Sequence, residues 1–242
     1  TCAVGAALCL GFVLPQNFLY PYAAIGFSDF WRRWHITLSA WLRDYLYIPM
    51  GGNRKGKFRT YINLMITMLL GGLWHGANWT FVVWGGLHGF YLWVEKAIAD
   101  IRHDKVKPIA VTPAGEVGVL GPVPEILKPK ILRNFLIALF TFFLINVTWV
   151  FFRATNFKDA WSLLTSMFGG MKAGEAMLTT LAIVKVAVIV VLMIIVHWLM
   201  RNTRTLDVVA KLPWWLVGIF WALILLLLIW SQESSSSFIY FQ

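Results

Sequence analysis

Apolar residues recur along this chain on two scales. On the longer scale, 131–152, 178–200 and 212–230 are nearly unbroken apolar runs, and 3–14 is a shorter one closed by Pro15. A transmembrane helix needs about 20 such residues, so the three longer runs predict spans. On the shorter scale, SDFWRRWHITLSAWLRDYLYI at 28–48 places Phe30, Trp34, Leu38, Trp41 and Tyr45 at steps of four, four, three and four. That is one face of an α-helix. Arg32, Ser39 and Arg43 fall on the opposite face, which predicts a helix lying in the membrane interface. Ser28 or Asp29 is placed to cap it, and Pro49 with Gly51-Gly52 to stop it. Residues 156–169 repeat the pattern, with Phe157, Trp161, Leu164 and Phe168 as the stripe and Asn156 as the cap.

The segment 61–94 fits neither scale. It holds no Asp, Glu, Lys or Arg, yet Gly71-Gly72, Gly76 and Gly85-Gly86 interrupt it. It is long for one span and short for two, so two shortened helices meeting at GGLWHGANW, 71–79, are predicted. Non-helical backbone at membrane depth is tolerated only where protein or a water-filled cavity covers it. The break therefore points to a buried pocket.

Composition agrees. The chain is 59% hydrophobic and only 13% charged, with a mean hydropathy of +0.70, against about a quarter charged residues in soluble domains. The predicted class is an all-α integral membrane protein. It is a multi-helix bundle with short broken or re-entrant helices around a central pocket and amphipathic helices at the interface. Residues 1–242 form one membrane domain. The net charge of +10 lies beside apolar spans, so a positive-inside bias explains it better than nucleic acid, which is not an expected partner. Segment 29–59, with seven Lys or Arg against two Asp, is placed on the cytoplasmic side. The proline-rich connection 100–133 and the bases of 201–211 go with it, and 153–177 goes outside. Cys2 and Cys9 are seven residues apart, ~10 Å on a helix, too far for a disulfide. The opening TCAVGAALCL has no initiator Met and no basic region before its apolar run, so it is expected to continue a longer chain rather than to be a signal peptide.

The chemistry centres on His75, inside the uncharged run. An ionisable residue in a membrane segment is a functional hypothesis by default. In apolar surroundings His75 is expected to be the neutral imidazole, suited to act as general base on an alcohol or thiol. Asn78 can orient it, or donate to an oxyanion if the helix continues. Trp74 and Asn78 are the adjoining candidates for contact with substrate. His35 is either a second catalytic group or a headgroup-level histidine, and forty residues separate it from His75. Arg32 and Arg43 either grip donor phosphates or anchor to lipid. The Arg54, Lys55, Lys57 turn suits anionic lipid. A zinc site from His35, His75 and His88 is not expected, because 61–94 has no carboxylate and no H-E-x-x-H.

The blocks FSDFWRRWHITLSAWLRDYLYIPMGGNRKG and LLGGLWHGANWTFVVWGGLHGFYLWVEK, with VTWVFFRA and the ending FIYFQ, resemble the membrane-bound O-acyltransferase family. Within it they are most similar to the bacterial membrane proteins that O-acetylate alginate. Members of the family are considerably longer, and the chain resembles their C-terminal half. The absent N-terminal half is expected to supply part of the pocket wall. The resemblance implies a bacterial inner-membrane, multi-pass acetyltransferase. It implies a cytoplasmic thioester donor such as acetyl-CoA, no tightly bound cofactor, an exported polysaccharide as acceptor and periplasmic acetyltransferase partners. The family's essential histidine maps onto His75 and its second histidine onto His35. A relative that D-alanylates teichoic acid shares both blocks, which leaves D-alanyl or other acyl transfer to a cell-wall polymer as an alternative. Broken helices also mark transporters, the rival from another class.

Overall fold

In the computed structural model, residues 2–101, 131–169, 179–203 and 205–231 are described. Among them every regular element is helical. Most of the predicted connection 100–133 and the serine-rich end lie outside the described residues. Residues 1–201 form one compact unit. It contains α1 (Cys2–Cys9), α2 (Phe27–Arg33), α3 (Ile36–Leu42), α4 (Lys57–His75), α5 (Trp79–Ile101), α6 (Ile131–Arg153), α7 (Phe157–Met167) and α8 (Thr180–Leu199). The second unit carries α9 (Thr205–Val209) and α10 (Trp214–Ser231).

Helices form over all three predicted runs. Helices α6 and α8 are long and apolar enough to cross a membrane, and Trp214–Leu226 of α10 is a shorter apolar stretch. Helix α6 shows why one face turns inward. Its buried residues Ala138, Thr141, Ile145 and Thr148 recur every three or four positions, and bulky Leu136 and Phe140 point out. No described residue of α8 is buried, as suits a helix whose solvent is lipid.

Helices α4 and α5 form an antiparallel hairpin broken where predicted, at 76–78. They are not shortened. They reach Lys57 and Ile101, because the charges that bound the apolar run sit at the open end of the hairpin. There Tyr61 donates to Asp100 (2.9 Å) and Lys96 pairs with it (3.6 Å). Two glycines make the seam. A Cβ on Gly72 would run into the Phe81 carbonyl, and one on Gly85 into the Met68 carbonyl. Small residues that let backbones touch are the usual solution where hydrophobic driving force is absent.

The predicted 28–48 helix is not one helix. It divides into α2, α3 and a π-helical turn, Arg43–Tyr47, closed by Ile48 N–H to the Arg43 carbonyl (2.9 Å). Trp34 is extended and His35 is left-handed. The aromatic stripe is split accordingly: Phe30 is 1% exposed, whereas Trp41 and Tyr45 face outward. Helix α2 packs beside α5. Its core neighbours are Ala24, Ile145, Tyr91 and Trp149. Nor does Ser28 or Asp29 cap it. The Phe27 and Ser28 N–H groups donate to Glu95 Oε2 on α5 (2.7 and 2.9 Å). Asp29 instead accepts Arg33 Nε (2.8 Å) and Arg201 Nη2 (2.6 Å), while Arg33 Nη1 donates to the Arg201 carbonyl (2.6 Å). Buried Arg33 is thus a tie between α2 and the end of α8. His197 accepts the Tyr22 N–H at Nδ1 (3.3 Å) and stacks on the Tyr22 ring.

Candidate active site

His75 is the last residue of α4. A Cβ on Gly76 would come 2.8 Å from the Phe81 ring, so glycine at the break lets that ring close over the turn. Asn78 begins the next helix. Its Oδ1 accepts the Thr80 N–H (3.1 Å), and its Nδ2 donates to the Thr155 carbonyl (3.0 Å) between α6 and α7. The helix does not continue through Asn78, and its amide holds the break in place.

Around the imidazole stand four aromatic rings from three helices. Trp74 (4.9 Å between centroids), Trp84 (5.3 Å), Phe152 (5.0 Å) and Phe81 (6.2 Å) enclose it, the first three edge-on. No described residue hydrogen-bonds to His75, and its ring is half-buried. The imidazole is held by ring packing. His35 arrives from the corner between α2 and α3. It shares the Trp74 ring (6.4 Å) and lies within electrostatic range of His75. Its Nδ1 is buried without a partner among the described residues. The fold therefore brings the two candidate histidines to one place.

The arginines separate. Arg32 Nε is buried and has no partner among the described residues. Arg43 is bound to its neighbour, with Nε and Nη2 on the Asp44 carboxylate (2.7 and 2.8 Å), and this hydrogen bonding holds exposed Asp44 below the usual carboxylate range.

His88 lies one layer behind. It is fully buried, and Nε2 is 3.0 Å from Thr148 Oγ1. That hydroxyl gives its hydrogen to the Ile145 carbonyl (2.7 Å), so it accepts from His88, which carries its proton on Nε2. Trp84 stands between the two histidines, 4.7 Å from His88. Among the described residues no three His, Cys, Asp or Glu side chains gather as a metal site. Two cavities, one between Tyr22, Ala138 and Trp198 and one on the outer face of α6, do not border His75.

Phe81, Trp84, His88, Tyr91 and Glu95 follow steps of three and four along α5. This signal, present in the sequence, marks the inward face of α5 that helps build the site. Residues 1–105, which include both histidines, match the model of the membrane-bound O-acyltransferase family. A probable alginate O-acetylase AlgI of Pseudomonas putida is 37% identical over 262 residues, covering 99% of this chain and 48% of that protein. The chain belongs to the membrane-bound O-acyltransferase family. A probable alginate O-acetylase AlgI of Azotobacter vinelandii is 45% identical over 166 residues, 69% of this chain and 28% of that protein. The peptidoglycan O-acetyltransferase of Helicobacter pylori is 43% identical over 167 residues, 69% of this chain and 27% of that protein. The chain thus spans less than half the length of these curated relatives. The family match ends before α6, so Trp149 and Phe152 complete the aromatic walls from outside it.

Proposed function

We propose that the chain carries the transfer site of a multi-pass bacterial inner-membrane O-acetyltransferase. It uses a cytoplasmic acyl thioester such as acetyl-CoA and serves an exported polysaccharide such as alginate. The observation that carries this is His75, an imidazole without a hydrogen-bond partner among the described residues, fixed by aromatic rings at a helix break beside His35. The names of the relatives support acetyl as the group and a polysaccharide as the acceptor.

His75 takes the proton of an acceptor hydroxyl as its oxygen attacks the thioester carbonyl. The new C–O bond forms, the C–S bond breaks, and the departing sulfur receives the proton from His75. His35 assists from across Trp74. The acceptor is the polymer itself or the serine of a periplasmic acetyltransferase partner. Arg32, whose buried Nε–H has no partner among the described residues, is the better donor-phosphate ligand of the two arginines, since Asp44 already occupies Arg43. Lipid surrounds α6, α7 and α8. The cationic 29–59 and 201–211 segments face the cytoplasm, and the ion pair between Asp29 and Arg201 supports their sharing one side.

His75→Ala in the full-length protein is expected to abolish polymer acetylation at normal membrane abundance, because positioned acid–base catalysis contributes about 10²–10⁴-fold. His75→Gln keeps size and polarity but cannot take a proton. Substantial acetyl ester on the polymer made by the Gln variant would return His75 to a structural role.

A further inference from the structure

His35 sits at φ 44°, ψ 55°, a region that a non-glycine residue occupies only when its surroundings demand it. The 16–19 segment makes that demand. In a continuous helix the Ile36 and Thr37 N–H groups would bond to the carbonyls of Arg32 and Arg33, four residues back. Here Leu19 N–H takes the Arg33 carbonyl (2.9 Å), and Ile36 N–H turns to the Asn17 carbonyl (3.0 Å). Asn17 Oδ1 accepts both the Thr37 N–H (3.0 Å) and the Thr37 hydroxyl (2.7 Å). Between these anchors Phe18 lays its ring on Trp34 (4.9 Å) and beside His35 (5.9 Å). The segment thus captures the hydrogen-bonding groups that would have joined α2 to α3.

We propose that Asn17 is a positioning residue for acyl transfer. Its side-chain oxygen holds the Thr37 donors, and so fixes the corner that keeps His35 beside Trp74 and His75. This rests on the acyl-transfer function proposed above. The role needs only an acceptor oxygen at this position, which predicts how substitutions rank. Asn17→Ala removes the acceptor, and Asn17→Asp retains it.

The test measures turnover of acetyl-CoA in vesicles carrying the full-length protein, normalised to its membrane level. For Asn17→Ala, kcat is expected to fall about tenfold or more with KM for acetyl-CoA within about twofold, since a misplacement near 1 Å can cost ~10²-fold. Asn17→Asp should stay within about threefold of wild type, because the Thr37 bonds persist. Wild-type kcat in Asn17→Ala, or equal losses in Ala and Asp variants, would overturn the proposal. Should Asn17→Ala fail to reach the membrane, Thr37→Val decides. A kcat lowered about threefold supports the proposal, consistent with the loss of one modest hydrogen bond, and an unchanged kcat overturns it. His75→Gln is measured alongside. If it keeps turnover, the acyl-transfer function falls whatever Asn17 does. If it is inactive while Asn17→Ala is normal, only the positioning role falls.

Discussion

Two segments of this chain carry the same aromatic stripe and fold differently. Residues 156–169 become one regular helix, α7, capped by their own Asn156, whose Oδ1 accepts the Asp159 N–H (2.9 Å). Most of its stripe stays outside, with Trp161 70% exposed. Residues 28–48 break at Trp34–His35, and their first third turns inward until Phe30 is buried. The stripe does not account for the contrast. The partners that take the backbone groups do. In α7 they are local, so the sequence pattern is sufficient. In α2 they are Glu95, which caps from α5, and the 17–19 segment, which takes over bonds on both sides of His35.

Substitutions at the two caps sharpen this contrast. The largest effect is expected from Glu95→Ala, which strips two N–H groups of their acceptor in a part-buried setting, a cost on the order of 3 kcal/mol. Thermal unfolding in detergent should shift accordingly, and Glu95→Gln, which keeps an acceptor, should recover part of the loss. If Glu95→Ala melts like wild type, α2 is held by packing alone. Asn156→Ala removes a local cap and should cost about 1 kcal/mol, read in the same melt. A loss there matching that of Glu95→Ala would erase the distinction between a local and a borrowed cap. The smallest effect belongs to Trp161→Ala. An outward side chain away from special features is worth within about 0.5 kcal/mol, and a larger shift would show that protein covers the α7 stripe.

The candidate site divides in the same way. His75, the helix break and its glycines are legible because an uncharged run interrupted by Gly71-Gly72, Gly76 and Gly85-Gly86 leaves few other arrangements. The enclosure is less legible. Trp84 and His88 share a helical face with Phe81, and that spacing is present in the sequence. Phe152 is more than seventy residues from His75 and joins it only through the packing of α6 on α5.

By itself the sequence determined the helical, membrane-embedded class, the spans α6 and α8, the α4–α5 hairpin with its break, the Asn156 cap, and the two histidines as the chemistry to examine. Each rests on composition, short-range periodicity or a local cap, which act over a few residues and here meet no distant competitor. Tertiary structure alone decided that 28–48 breaks, that Arg33 ties α2 to the end of α8, and that His35 reaches His75. Those outcomes depend on hydrogen-bond partners far away in sequence: Asn17 and Leu19 before the break, Glu95 and Arg201 well after it. A helix pattern specifies which backbone donors and acceptors are available. It cannot specify that another part of the chain will take them first.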